Sequence, residues 1–188
     1  MNKRIVLICG GRNYGKTSTL KSLFGLKGNE KVPSLKIGNV TICTSGSESG
    51  SLDSDQEHTA FCHVDSVIQK TSKRLKRCIE KYGESAIIVI PFSIIKRTRE
   101  PRKGELNEDC IIKPIEWLKQ KGYEIYKIYL RRIDYRYPVI AGDRGESTAE
   151  VDALMDKLGY NLKIESRDNS AEPAKEIREF ISANFQIS

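Results

Sequence analysis

Apolar residues along the chain follow two rhythms. Short continuous runs alternate with longer stretches in which apolar positions recur every three or four residues. The first run, "RIVLIC" at 4–9, reads as a buried strand. A helix is expected from Lys16 to about Phe24, with Gly25 as its C-terminal stop. "SLKIGNVTICT" at 34–44 holds two β-type runs around Gly38-Asn39, a tight-turn signal that predicts a hairpin. Residues 45–57, "SGSESGSLDSDQE", are polar and read as a loop. Val64, Val67, Ile68, Leu75, Cys78, Ile79 and Tyr82 then keep helical spacing, and Gly83 closes that helix.

"AIIVIPF" at 86–92 is the most hydrophobic segment and predicts a central strand ended by Pro91. After a basic stretch, a helix from about Glu108 carries Ile111, Ile115 and Leu118 on one face, with Gly122 beyond it. "YEIYKIYLRR" at 123–132 is rich in β-formers and reads as a strand. Ser147-x-x-Glu150 is a capping box opening a helix with Val151, Leu154 and Leu158. A short strand at 161–164 and a last helix at 171–183 complete the series. Strands alternating with helices predict one domain over 1–188. Its expected fold is α/β: a three-layer α/β/α sandwich with a mostly parallel sheet and one antiparallel edge strand from the hairpin.

No apolar run approaches the roughly 20 residues that span a bilayer, so a cytoplasmic chain without a membrane partner is expected. The five cysteines are scattered and form no C-x-x-C, which predicts reduced thiols rather than a disulfide framework. His58 and Cys62, four residues apart with His63 adjacent, permit two metal ligands where a site needs three or four. The net charge of +7 favours an anionic partner without choosing it.

The chemistry concentrates at 8–20, "ICGGRNYGKTSTL". Gly10-x-x-x-x-Gly15-Lys16-Thr17 matches G-x-x-x-x-G-K-[ST] at every fixed position, between a strand and a helix. Glycines allow backbone N–H groups to converge on phosphate oxygens, and the helix N-terminus adds its dipole. Gly10, Gly11, Arg12, Asn13, Tyr14, Gly15, Lys16, Thr17 and Ser18 are therefore the candidate nucleotide-binding residues. Lys16 would reach the β- and γ-phosphates, and the Thr17 hydroxyl would ligate Mg²⁺. Here the chain resembles the P-loop NTPase superfamily, and its overall pattern looks like small single-domain prokaryotic P-loop proteins. The resemblance implies ATP or GTP with Mg²⁺ as cofactors.

Such a site also needs an acid at a strand end. The strand "AIIVIPF" ends without one, so Glu48, Asp53 and Asp55 in the loop after the hairpin are the nearest candidates, Glu48 catalytic and Asp53 for Mg²⁺. Ras-like GTPases place an Asp-x-x-Gly turn after a hairpin and end a later strand in Asn-Lys-x-Asp. Cys43-Thr44-Ser45-Gly46 keeps only the glycine, and Arg131-Arg132-Ile133-Asp134 only the aspartate, so guanine specificity does not carry over.

Arg97, Arg99 and Arg102 follow the central strand, where nucleoside monophosphate kinases carry an arginine-rich lid. Arginine suits that task because its fork spreads charge over a transferring phosphoryl group. "AGDRGEST" at 141–148 is a candidate for the base or ribose. Lys70, Arg74, Arg77 and Lys81 recur at helical spacing and read first as a solvated face. Three functions follow: hydrolysis of a nucleoside triphosphate, which is favoured; a kinase with a small-molecule or nucleotide acceptor and an Arg97–Arg102 lid; and a nucleotide-dependent switch contacting nucleic acid or protein.

Overall fold

The computed structural model describes residues 3–11, 14–26, 32–45, 64–94, 108–132, 148–166 and 171–185. Six strands and five helices are placed among them: β1 Lys3–Gly10, α1 Lys16–Phe24, β2 Ser34–Ile37, β3 Val40–Cys43, α2 Val64–Tyr82, β4 Ile87–Ser93, α3 Asp109–Gln120, β5 Tyr123–Arg132, α4 Thr148–Leu158, β6 Leu162–Ser166 and α5 Ala171–Phe185. The strands form one sheet in the order β2-β3-β4-β1-β5-β6. All neighbours run parallel except the β2–β3 hairpin, whose turn has Gly38 at φ 57°. The chain has the expected α/β architecture, a mostly parallel sheet covered on both faces.

β1 explains the layering. Ile5 to Cys9 are fully buried, because this strand has neighbours on both edges and helices on both faces. Alternate side chains leave it in opposite directions. Ile5, Leu7 and Cys9 join a core with residues of α2, α3 and α4, including Leu75, Ile111, Leu118 and Leu154. Val6 and Ile8 join the other core with Leu20 and Leu23 of α1 and Ile177 and Ile181 of α5. The Arg178 guanidinium donates to the Leu23 carbonyl at 2.6 Å, tying α5 to α1.

Two expectations about single residues need correction. Pro91 does not end β4: it pairs opposite Ile8, and the strand continues to Ser93. The reason is that β3 pairs only with Ile87 and Ile88, so among the described residues β4 is an edge strand by Pro91 and a missing N–H is tolerated there. Cys110, buried in the first turn of α3, is disulfide-bonded, against the expectation of reduced thiols throughout. Cys9, Cys43 and Cys78 are free and buried. Burial pushes the Cys9 thiol up to about 12, and the neighbouring Cys78 thiol together with burial pushes Cys43 upward too. These three are inert packing groups. The last helix runs two residues beyond the expected end because Phe185 is buried, with its ring edge-on to Tyr126 at 4.5 Å.

Candidate functional site

β1 delivers the chain to Gly10, and α1 takes it up at Lys16. Three contacts pin the start of this turn. The Ile94 N–H, just past β4, donates to the Gly10 carbonyl at 3.3 Å. The Lys16 ammonium donates to the same carbonyl at 3.2 Å and to the Gly11 carbonyl at 2.5 Å. On the other side the Leu130 carbonyl of β5 lies so close that a Cβ at Gly10 would stand 2.9 Å from it. Glycine at position 10 is therefore set by the approach of two backbones, independently of any ligand.

At the other end of the turn, Gly15 caps α1 with φ 79° and ψ 12°, a left-handed conformation that costs a residue with a Cβ about 1–2 kcal/mol. That conformation turns the chain sharply enough for the first helical bond, Thr19 N–H to Gly15 carbonyl at 2.8 Å. No acidic residue stands in the first turn of α1, so its N-terminal dipole faces the loop unopposed by a side-chain carboxylate of its own. Lys16 is folded over the loop and only 7% exposed. Thr17 is half-buried and Ser18 exposed in the same turn.

Tyr14 behaves differently from the rest of the motif. It is 1% exposed and belongs to the core shared with Tyr129, Val151, Leu154 and Met155. Its side chain anchors the loop to the β5–α4 side of the domain. A phosphate contact from Tyr14 would come through its backbone N–H. Arg12 and Asn13 lie outside the described residues.

β4 separates β3 from β1. The segment after the hairpin thus starts two strand spacings from the loop, about 9.6 Å, rather than against it. It also starts low. Cys43 pairs with Ile88, whereas Gly10 pairs with Ser93, five residues further along β4 and about 16 Å higher at the usual rise per residue. Thr44 and Ser45, buried at the end of β3, are the described residues at this step. The Thr44 hydroxyl, like that of Thr19, is buried with no hydrogen-bond partner among the described residues. Glu48, Asp53 and Asp55 lie outside the described residues, as do Arg97, Arg99, Arg102, and the whole of 141–147. Among the described residues no cluster of three metal-ligating side chains is present.

A second polar cluster, not anticipated from the sequence, stands at the upper end of β5. The Arg131 guanidinium grips the Asp152 carboxylate of α4 with Nε at 2.9 Å from Oδ1 and one terminal nitrogen at 2.9 Å from Oδ2. The Tyr129 hydroxyl donates to the same Oδ1 at 2.7 Å. Glu165 of β6 lies 3.5 Å from the other terminal nitrogen. Arg131 holds the Asp152 carboxyl below the ordinary carboxylate range, with Tyr129 helping. Burial, followed by the hydrogen bond to Asp152, pushes the Tyr129 phenol upward. The cluster joins residues 21 positions and more apart, so no spacing rule exposes it. The sequence signal was limited to tyrosines beside arginines in one strand, which reads as packing.

No protein-family model matches the sequence, and no curated protein matches it. Among solved structures the chain is similar to a shikimate kinase from Acinetobacter baumannii in complex with shikimate, with 16% identity over 100% of this chain and 97% of that one, at a TM-score of 0.39. The sheet and the strand–turn–helix geometry described above define a P-loop-like α/β fold. Among the described residues no helix is long and apolar enough to cross a membrane.

Proposed function

We propose that the chain binds a magnesium nucleoside triphosphate at the Gly10–Ser18 turn and transfers its γ-phosphoryl group to a small-molecule acceptor. The observation that carries nucleotide binding is the buried Lys16 ammonium, held over the Gly10 and Gly11 carbonyls in a turn closed by left-handed Gly15. A buried cation beside a helix N-terminus with no acid in its own first turn favours a multiply charged anion. Thr17, in the first turn of α1, would supply a hydroxyl to Mg²⁺, and Asp53 or Glu48 an acid. The metal would neutralise charge between the β- and γ-phosphates.

Phosphoryl transfer is preferred to hydrolysis for one positional reason. Ile94 is bonded to Gly10, and the arginines suited to a transferring phosphoryl group, Arg97, Arg99 and Arg102, come next after it in the sequence. The base, ATP or GTP, is left to the experiment.

The test is a turnover assay with [γ-³²P]ATP and [γ-³²P]GTP plus Mg²⁺ across nucleosides, nucleotides, sugars and hydroxylated acids, shikimate among them. The expected result is label carried onto one acceptor class, with a turnover at least tenfold above the acceptor-free rate. Phosphate release that no acceptor alters would make the protein a hydrolase instead.

A further inference from the structure

Between β1 and α1 the chain passes from one layer of the sandwich to the other. Helix α1 packs through Leu20, Leu23 and Phe24 into the core that it shares with α5. Tyr14, two residues before that helix begins, is 1% exposed in the opposite core, with Tyr129 of β5 and Val151, Leu154 and Met155 of α4. The turn therefore straddles the end of β1 and is anchored in both layers. A strand–turn–helix unit without the tyrosine would hold only the α1 anchor.

The same side chain reaches back to the start of the turn. A Cβ at Gly10 would stand 3.3 Å from the Tyr14 Cβ and 3.4 Å from its ring atom Cδ2, with the Leu130 carbonyl at 2.9 Å. Gly10 thus lies between the tyrosine and β5, and its missing side chain leaves the room that the ring edge occupies. Gly15 follows the tyrosine directly at φ 79°. A seated ring on one side and a left-handed glycine on the other leave the Tyr14–Gly15 peptide little freedom. The motif itself asks for no aromatic here, because the four positions between its glycines are open.

We propose that Tyr14 is the positioning residue of this turn: its buried ring fixes the backbone of residues 14–16 in the phosphate-binding conformation before a ligand arrives. The inference rests on the reading of the turn as a nucleotide site. Its physical basis is conformational entropy. An unanchored turn would lose its freedom when the nucleotide binds, and that loss would be subtracted from affinity. Here the freedom is lost on folding, when Tyr14 enters the core. The tyrosine acts through the backbone it holds and not through its own hydroxyl, so an aromatic ring of the same shape is sufficient.

The test uses the full-length chain and two measurements. Amide hydrogen exchange without nucleotide follows the Thr19 N–H, bonded to the Gly15 carbonyl at 2.8 Å. Calorimetry with Mg²⁺ follows affinity for ATP and GTP. Tyr14→Ser is expected to exchange about tenfold faster or more at Thr19, with the amides of β6 unchanged. Its nucleotide affinity is expected to fall by about tenfold or more. Tyr14→Leu, which keeps an apolar group in the core, carries the same measurements if the serine variant does not fold. Tyr14→Phe is expected to rescue both. Leu118→Ala, a buried position of the same core on α3, is expected to lower the melting temperature and leave nucleotide affinity unchanged, which separates positioning from general loss of stability. Unaltered Thr19 exchange in the serine and leucine variants would overturn the proposal, as would a phenylalanine variant as defective as the serine one. Faster Thr19 exchange in a protein whose wild type binds no nucleotide would uphold Tyr14 as the residue that sets the turn and end only the nucleotide reading.

Discussion

The Gly10–Thr17 turn and the Arg131–Asp152 cluster flank the same strand boundary, yet they are built in opposite ways. In the turn, every functional group comes from eight consecutive residues. Backbone conformation does the work: two close-packed or left-handed glycines and a lysine that folds back on its own loop. In the cluster, β5, α4 and β6 each contribute side chains, and Asp152 is 21 residues from the arginine that holds it. The first region holds a buried cation, Lys16, on its own backbone carbonyls. The second already contains its own anion, neutralised by Arg131 and Tyr129. The satisfied Asp152 carboxylate braces α4 against the sheet. Buried Tyr14 and Tyr129 share one core, so the two regions meet through packing.

Lys16→Ala should separate the two regions most sharply. Losing the buried Lys16 ammonium is expected to cost about 3–4 kcal/mol of nucleotide binding, more than a hundredfold. Calorimetry with ATP and GTP measures it. Intact binding in that variant would end the reading of this turn as a nucleotide site.

Gly10→Ala strikes the junction of the two. Its Cβ would meet the Leu130 carbonyl at 2.9 Å, a backbone atom that moves only with β5. A loss of about 1–3 kcal/mol is expected, lowering the melting temperature by several degrees and weakening nucleotide binding as the turn shifts. A melting temperature within 1 degree of wild type would mean that β1 and β5 are not in the close contact described.

Asp152→Asn is the mildest of the three. Both partners are about a quarter exposed, so removing the carboxylate charge is expected to cost about 1 kcal/mol. The carboxyl's folded value is depressed, so its stabilising effect is present above its unfolded value near 4 and fades as pH falls through the folded value. The stability gap between wild type and the variant should therefore be full at pH 7 and shrink below about pH 4 in denaturant titrations. A gap independent of pH would show that the brace does not act through that charge. A tenfold loss of nucleotide affinity in the same variant would show that the two regions are energetically coupled.

Most elements were legible from hydrophobic period and glycine placement. Residues 16–24 with Gly25, the Gly38-Asn39 hairpin and 64–82 with Gly83 all form where local pattern points, because caps and turns are decided by a few neighbouring residues. Pro91 misled because a strand's tolerance for proline depends on its neighbours, and β3 stops before reaching it. Likewise, no local rule shows that β4 would stand between β3 and β1.

What this sequence determined by itself is the turn between β1 and α1: Gly10 and Gly15 act through backbone geometry confined to one strand–turn–helix unit. Only the tertiary structure decided that Tyr14 belongs to the core, that Asp152 serves Arg131, and that β4 continues through Pro91. Each of those depends on strand order and on which face of the sheet a side chain leaves from. Those are long-range consequences of packing, and neighbouring residues in the chain carry no record of them.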